Sequence, residues 1–281
     1  MDLGLADQVV FITGASGGIG RALAQTFVAE GARVVLGGHA RLAELREHVA
    51  QQRWGERALA VAADVRDPAA LAAAFEQAVE RFGRVDACIA NAGAWTTPDL
   101  RLHEADEGRI RETLEINLLG ALWTARAFMG ALARTGPRAD GRGASLVFVG
   151  STAGRFGEAG HAEYATAKAG LIGLMRSLKN EIVTLDPYAR VNVVEPGWTV
   201  THMVRPALDQ PGTIAKVLAT MPVRQLGRAS DVAAAIAWLC SPLAARHVSG
   251  QVLTLAGGME GRQLWGASEV DEAAVRDRAR H

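Results

Sequence analysis

Seven short apolar runs alternate with longer helical segments, and this alternation constrains the fold more than any other feature of the sequence. The apolar runs lie at 8–13, 32–37, 58–64, 85–90, 144–150, 190–195 and 251–256. Segments of helical periodicity lie between them, near 18–30, 40–53, 68–82, 106–133, 161–185 and 229–240. Strands that are apolar throughout are typical of a parallel sheet covered on both faces. The pattern predicts an α/β fold with a doubly wound, seven-stranded parallel sheet and right-handed crossovers.

Composition and charge narrow the class of protein. Hydrophobic residues make up 49% of the 281 residues and charged ones 21%, which favours a large core and excludes a disordered chain. The 30 basic and 30 acidic residues cancel, so no overall field attracts nucleic acid or an anionic membrane. No apolar run approaches the roughly 18 residues of a membrane span. We expect a soluble cytoplasmic protein without a nucleic-acid or membrane partner.

Cysteine usage and the end of the β-α pattern set two further expectations. Cys88 and Cys240 lie in apolar runs and are expected to be buried free thiols. No Cys or His spacing is typical of a metal site, so we expect none. The pattern stops near Met259, after which the chain becomes charged. A single domain over 1–259 and a C-terminal extension over 260–281 are therefore predicted.

A glycine-rich turn follows the first strand, in "TGASGGIG". Gly14, Gly18 and Gly20 stand where a helix begins, and a helix N-terminus binds phosphate through free N–H groups and its dipole. Glycine is needed there because a Cβ would block the phosphates and tight helix–strand packing. A glycine turn alone is a weak signal, but its position in the first βα unit favours nucleotide binding.

This turn resembles the TGxxxGxG signature of the short-chain dehydrogenase/reductase family, and other motifs follow in the family's order between about residues 8 and 259. They are Asp64-Val65, Asn91-Ala92-Gly93, Asn117, Ser151, Tyr164 and Lys168 as YxxxK, and Pro196-Gly197-Trp198-Thr199. The end of the domain is similar to the fatty-acid-type ketoreductases. The resemblance implies a Rossmann-like NAD(P)-dependent oxidoreductase. It further implies cofactor contacts from Gly14, Ser16, Gly18, Ile19, Gly20, Asp64, Val65, Asn91, Ala92, Gly93, Tyr164, Lys168, Pro196, Gly197 and Thr199.

The chemistry explains why a Tyr and a Lys are needed one helical turn apart. Hydride transfer to a carbonyl requires a proton as well, and a free phenol, with a pKa of about 10, is a poor base near neutrality. A Lys168 cation is expected to lower the pKa of Tyr164, which acts as general acid in reduction and base in oxidation. Ser151 is expected to polarise the substrate oxygen. The resemblance implies that Asn117 holds a water molecule that links Lys168 to solvent as a proton relay.

Simpler roles compete for some of these residues. Ser151 could cap the following segment, and Asn117 could be a core amide with all its hydrogen bonds made. A hydrolase built on Ser151 and His161 is disfavoured because the chain has no G-x-S-x-G turn. Glu195 departs from the family, which has a small or neutral residue before this Pro-Gly. It could face solvent, pair with an arginine or border the nicotinamide pocket.

Cofactor preference is predicted from the end of the second strand. NAD-preferring relatives carry an acid there for the ribose 2′-hydroxyl, and this chain has Gly38. His39 and Arg41 follow and could meet a 2′-phosphate, or they could be solvated residues at a helix start. NADP(H) is therefore favoured over NAD(H).

The substrate site is expected around Trp95, Ala153, Phe156, Trp198 and Met203. Their apolar character predicts a hydrophobic or cyclic ketone or alcohol as the substrate, although these side chains could serve only to close a lid.

The resemblance also implies that the protein forms a homotetramer or homodimer. A non-catalytic nucleotide-binding regulator competes with an enzyme, but regulators can lose Ser151, Tyr164 and Lys168 freely. Sugar-nucleotide epimerases differ by a TGxxGxxG turn and a larger C-terminal region.

Overall fold

A seven-stranded parallel sheet forms the centre of the molecule, in the order β3-β2-β1-β4-β5-β6-β9. The computed structural model describes residues 1–52, 54–202, 204–262, 271 and 274. The strands are β1 Val9–Ile12, β2 Arg33–Gly38, β3 Ala58–Ala62, β4 Ala87–Ala90, β5 Ser145–Val149, β6 Arg190–Pro196 and β9 Val252–Leu255, with a separate pair β7 Thr199–Val200 and β8 Gly227–Arg228. The predicted doubly wound, Rossmann-like fold is confirmed.

Helices cover both faces of this sheet. They are α1 Gly18–Ala29, α2 Leu42–Gln51, α3 Pro68–Phe82, α4 Glu107–Leu114, α5 Gly120–Thr135, α6 Thr152–Phe156, α7 Ala162–Glu181, α8 Arg205–Leu208, α9 Thr213–Leu218 and α10 Ala229–Cys240. Asp67 caps α3 as a preceding Asp-Pro predicts, because its carboxylate accepts from the Ala69 N–H at 2.8 Å. α10 begins at Ala229, as the helical segment predicted near 229–240 indicates, and the Asp231 carboxylate accepts from the Arg228 N–H at 2.9 Å.

Each strand supplies two separate cores because successive side chains point to opposite faces. Val9 and Phe11 pack with α3, α5 and α7, where Phe11 stacks on Phe75 at 4.0 Å between ring centroids. Val10 and Ile12 pack with α1 and α10 on the other face. Burial on both sides accounts for strands that read as continuous apolar runs.

The helix from Glu107 to Thr135 is interrupted by a π-helical turn at Glu115–Leu119. By length and composition this is the one helix in the described part of the chain that could cross a membrane. Its buried face, with Ala125, Phe128 and Leu132, packs into the core beside α3. Core packing therefore accounts for its apolar character.

Strand order reverses between β1 and β4, which opens a crevice at the carboxyl ends of the strands. Gly14, Asn91, Ser151 and Pro196 all follow or end strands at this edge. The short elements between residues 199 and 228 lie beyond β6 and were not predicted individually.

Candidate active site

The glycine turn leaves the start of α1 open. Gly14 has a φ of +63°, and a Cβ there would lie 2.8 Å from the Ala92 Cα. A Cβ on Gly20 would lie 2.4 Å from the Gly14 carbonyl oxygen, so the turn and helix pack without room for a side chain. Gly17 precedes the helix and offers no side-chain cap, which leaves first-turn N–H groups for an anion. The turn therefore suits a pyrophosphate.

Thr13 and Asn91 fix this turn to the end of β4. The Thr13 Oγ1 accepts from the N–H groups of Asn91 and Ala92, both at 3.1 Å. The Asn91 amide donates to the carbonyls of Thr13 at 2.9 Å and Gly14 at 3.2 Å. Thr13 was not predicted as a site residue, although its place directly before Gly14 could have suggested it.

A charged cluster lies where the second and third strands end. The Arg66 guanidinium is 2.8 Å from the Asp64 carboxylate and 3.1 Å from His39 Nε2. The hydrogen bond from Arg66 lowers the pKa of Asp64. Arg41 stands exposed at the start of α2, and Val65 is buried behind Asp64. Arg66 was missed at the sequence level, because its role depends on a contact with His39 across the sheet edge.

Lys168 is buried on α7 and Tyr164, one turn earlier, is partly buried, with the Lys168 Nζ 5.7 Å from the Tyr164 ring centroid. Burial raises the pKa of Tyr164 to about 12, while a hydrogen bond with Ser151 opposes the rise and the charge of Glu158 adds to it. Burial lowers the pKa of Lys168 to about 8. The expected lowering of the Tyr164 pKa is wrong, because burial dominates and the Lys168 Nζ donates to the Val149 carbonyl at 2.9 Å.

Ser151 and Asn117 complete this group. The Ser151 hydroxyl accepts from the Ala153 N–H at 3.1 Å, so it caps α6 and also bonds Tyr164. Asn117 lies fully buried in the π turn, and its amide exchanges hydrogen bonds with the Ala94 main chain at 3.0 and 3.2 Å. π turns are frequent at functional sites. The Asn117 side chain thus fixes the segment after Gly93, as the core-amide interpretation anticipated.

Trp95 forms one wall of the crevice. Its ring lies 4.9 Å from that of Tyr164 and 3.7 Å from that of His161, measured between centroids. His161 is buried, with Nε2 2.8 Å from Asp99 and Nδ1 3.4 Å from an Arg109 Nη2. Because Arg109 can only donate, this geometry assigns Nδ1 as acceptor and Nε2–H as donor.

Arg109 anchors the same wall from α4. Its guanidinium contacts the Glu163 carboxylate at 2.7 Å, and both side chains are at most 5% exposed. It also donates to the carbonyls of Pro98 at 2.5 Å and Gly160 at 3.2 Å. Neither Arg109 nor Glu163 was predicted, and only the position of Glu163 directly before Tyr164 hinted at it.

An apolar wall is formed by side chains of α6 and of the segments that follow β6 and β9. Phe156, Trp198 and Leu226 pack against a buried cluster of Val217, Met221, Ala256 and Met259. Beside it opens a cleft of about 360 Å³. Ala153 is a buried residue of α6 and does not belong to this apolar cluster, whereas Met203 lies outside the described residues.

The Pro196-Gly197 segment connects this wall to the glycine turn. A Cβ on Gly197 would lie 2.9 Å from the Ala256 Cβ, and the Thr199 hydroxyl donates to the Gly197 carbonyl at 3.1 Å. Thr201 lies against Gly18, where an added Cβ would be 3.0 Å from the Thr201 Cγ2. The chain after β6 therefore crosses the start of α1.

Glu195 is buried and does not face solvent. It accepts from the Thr254 hydroxyl at 3.0 Å and lies 3.7 Å from the half-exposed Arg155. Of the three environments expected for Glu195, this geometry supports pairing with an arginine.

Cys88 and Cys240 are buried free thiols, as predicted. Within the described residues, no group of three or more His, Cys, Asp or Glu side chains is arranged to hold a metal.

The doubly wound fold and the glycine turn of its first βα unit are typical of dinucleotide-binding proteins. Residues 8–212 match the short chain dehydrogenase family. The chain is 35% identical to 3-oxoacyl-(acyl-carrier-protein) reductase FabG of Salmonella typhimurium. The match covers 90% of this chain and 97% of that protein. It is 39% identical to cis-4-hydroxycyclohexanecarboxylate dehydrogenase of Sinomonas cyclohexanicum, covering 90% of this chain and 96% of the relative.

A solved structure, 3-ketoacyl-(acyl-carrier-protein) reductase from Brucella melitensis complexed with NADH, superposes with a TM-score of 0.79. It is 28% identical, and the match covers 90% of this chain and 98% of that one. The chain belongs to the short-chain dehydrogenase family. It is an oxidoreductase of the ketoreductase type that acts on carbonyl or alcohol substrates.

Proposed function

We propose that the protein is an NADP(H)-dependent ketoreductase or alcohol dehydrogenase for a hydrophobic or cyclic small molecule. The observation that carries this proposal is the grouping of the Tyr164 phenol with Ser151, whose hydrogen bonding lowers the phenol's pKa, and with Lys168 one helical turn away. These groups meet at the carboxyl edge of the sheet, where this fold binds its ligands. A regulator without turnover would not need this combination.

Tyr164 acts as the acid in carbonyl reduction. Because its pKa is raised to about 12, the phenol is protonated at neutral pH and has a proton to give to the developing alkoxide. Ser151 donates to the same oxygen and stabilises the charge that develops there. Alcohol oxidation needs the phenolate, so its rate should rise with pH, whereas reduction should vary little across neutral pH.

The residues of the crevice fit a nicotinamide dinucleotide. The uncapped start of α1, at Gly18, Ile19 and Gly20, suits the pyrophosphate, and glycine at 14 and 20 lets the turn pack closely against Ala92 and Ala15. Ser16 and the Asn91-Ala92-Gly93 segment border the same space. Lys168 and Thr199 are proposed to bind the nicotinamide end. When bound, the cofactor supplies or accepts the hydride.

Preference for NADP(H) rests on charge near Gly38. Gly38 supplies no carboxylate to repel a 2′-phosphate, and Arg41, His39 and Arg66 lie at the adjoining strand ends. Asp64 is the nearby acid, but Arg66 neutralises it at 2.8 Å. Arginine suits phosphate because its donors form a rigid fork. An NAD(H)-dependent enzyme is the alternative.

The substrate class follows from the two walls. Trp95 supplies a flat aromatic surface beside Tyr164, and Phe156, Trp198 and Met259 supply the apolar opposite side. A flexible sugar phosphate would gain little there. The names of two relatives, 3-oxoacyl-(acyl-carrier-protein) reductase and cis-4-hydroxycyclohexanecarboxylate dehydrogenase, are consistent with such a substrate.

The test is cofactor oxidation with NADPH and with NADH against cyclohexanone, 4-oxocyclohexanecarboxylate, ethyl acetoacetate and butanal. We expect turnover of at least one ketone, with a higher kcat/KM for NADPH. Cofactor binding followed by fluorescence, with no turnover of any carbonyl, would favour the regulator instead. A higher kcat/KM for NADH would overturn the cofactor preference alone.

We also propose that the protein self-associates in the cytoplasm, as a homotetramer or homodimer. Strand β9 is a partly exposed edge of the sheet, and Leu119 is exposed on the apolar Glu107–Thr135 helix. Unpaired edges and apolar helix faces are commonly covered by a second copy. Light scattering after size-exclusion chromatography measures the mass, and a monomer at assay concentration would contradict this.

A further inference from the structure

Arg262 brings the chain beyond the predicted domain back to the catalytic residues. Its Nη2 lies 3.3 Å from the Thr152 hydroxyl and 2.7 Å from the Glu158 carboxylate, and its Nη1 contacts the Met259 sulfur. The Arg262 and Glu158 side chains are only 15% and 23% exposed. Arg262 Nε is buried and has no acceptor among the described residues. A salt bridge this shielded is weakened little by salt.

Two partners of Arg262 belong to the segment that begins with Ser151, and the third belongs to the apolar wall. Thr152 directly follows Ser151 and starts α6, and Met259 belongs to the apolar wall. Glu158 lies two residues after α6 ends. One guanidinium therefore joins the two ends of the Ser151–Glu158 segment to the apolar wall.

The charge of Glu158 also affects the pKa of Tyr164. Its negative charge raises the phenol's pKa, in addition to the larger effect of burial. The other groups around the phenol are Ser151, the Lys168 ammonium on the same helix, and Trp95 backed by His161. Arg262 is the described cation in direct contact with Glu158, and so it offsets that charge at its source.

We propose that Arg262 is a positioning residue of the active site, which holds the Ser151–Glu158 segment over the substrate pocket and neutralises Glu158 beside Tyr164. Part of this rests on the proposed role of Tyr164 as acid and base. The C-terminal extension thereby contributes to the site, although the resemblance to the family ends near Met259.

The charge effect can be measured without any substrate. The chain has two tyrosines, so a Tyr188→Phe background leaves Tyr164 as the single ionisable phenol. Ultraviolet difference absorbance then gives its tyrosinate fraction at a fixed alkaline pH at which circular dichroism shows every variant folded. We expect Arg262→Ala to lower that fraction by about threefold, the equivalent of half a pKa unit, and Glu158→Gln to raise it. The double variant should lie near or above the parent.

The positioning effect is measured on the full-length enzyme with cyclohexanol and NADP⁺. Arg262→Ala should raise KM by about fivefold, because the segment over the pocket loses its fork of hydrogen bonds. Arg262→Lys keeps the charge without the fork, so it should leave the tyrosinate fraction unchanged while KM still rises. Arg111→Ala is the control: this arginine pairs with Glu107 on an exposed helix face and should change neither quantity.

Opposite shifts of the tyrosinate fraction in Arg262→Ala and Glu158→Gln, with a raised KM in the former, support the proposal. Shifts in the same direction would indicate general loosening and overturn it, as would unchanged values in Arg262→Ala. If no alcohol is turned over by the parent, the proposed function fails, but the tyrosinate measurement still decides the role of Arg262.

Discussion

The two halves of the crevice are built from different materials. The cofactor half consists largely of main-chain groups: a glycine turn, an uncapped helix start and strand ends locked by Thr13 and Asn91. The substrate half consists of side chains from distant segments, among them Arg109 with Glu163 and Arg262 with Glu158. Main-chain sites require glycine at fixed spacing, whereas side-chain sites accept many solutions. The first half therefore carries a readable motif and the second does not.

The largest expected effect concerns chemistry at the boundary of the two halves. Tyr164→Phe removes the proton donor but keeps the ring that packs against Trp95. We expect kcat to fall by at least about 100-fold, the lower range for loss of a general acid. NADPH binding, followed by fluorescence quenching, should persist because the cofactor half is untouched. Activity near the parent level would remove Tyr164 from the mechanism.

In the substrate half, breaking a buried ion pair should cost more stability than breaking an exposed one on the same helix. Arg109→Met leaves the Glu163 carboxylate buried, with one oxygen already lacking a partner among the described residues. We expect a loss of about 3–5 kcal/mol in the free energy of unfolding, measured with urea. Arg111→Ala breaks an exposed pair with Glu107 and should cost about 0.5 kcal/mol or less.

Adding Glu163→Met to Arg109→Met separates the two causes of that loss. If the cost comes from the stranded carboxylate, the double variant should recover much of the stability. Equal instability of the single and double variants would assign the loss to packing and to the hydrogen bonds with Pro98 and Gly160 instead.

Burial of the Lys168 ammonium in the site lowers the free energy of unfolding. Its folded-state pKa of about 8 lies below the ordinary 10.5, so the unfolded chain binds more protons between these values. The penalty for burying the charge, about 3 kcal/mol, is present in full below pH 8 and vanishes as pH rises toward 10.5. Parent stability should therefore rise with pH relative to Lys168→Met, by up to that amount. Parallel pH profiles in urea unfolding would contradict the lowered pKa.

The fold and the cofactor half of the crevice could be predicted from the sequence, whereas most of the substrate half could not. The order of strands and helices comes from local periodicity, and the glycine turn from spacing within eight residues. The Arg109–Glu163 pair joins residues 54 positions apart, and its formation depends on how α4 packs against α7. The raised pKa of Tyr164 depends on burial, which the spacing of Tyr164 and Lys168 does not encode. Glu195 was noticed as unusual, but its partner Thr254 lies on another strand.

Two neighbouring glycines test the main-chain half. In Gly20→Ala the new Cβ would meet the Gly14 carbonyl oxygen at 2.4 Å and the Ala15 Cα at 2.6 Å, both main-chain atoms that cannot turn aside. We expect a loss of about 1–3 kcal/mol in unfolding free energy and much weaker NADPH binding. Gly17→Ala meets only the Gly14 oxygen at 3.3 Å and should retain the fold and most of the binding. Equal behaviour of the two variants would refute the close-packed turn.

The smallest expected effect is on the choice of cofactor. In the cofactor half, the preference for NADPH over NADH depends on side chains near Gly38 and not on main-chain groups. Arg41→Ala removes an exposed cation near Gly38, and a single charge-assisted contact with phosphate is worth about 1.5 kcal/mol or more. The kcat/KM for NADPH should fall about tenfold while that for NADH stays constant, since only NADPH carries the 2′-phosphate. Arg46→Ala, on the same helix but further along it, is the matched control and should change neither value. An equal fall with both cofactors would mean that Arg41 acts on the helix, and the 2′-phosphate would then fall to His39 and Arg66, whose variants must show the selective loss instead.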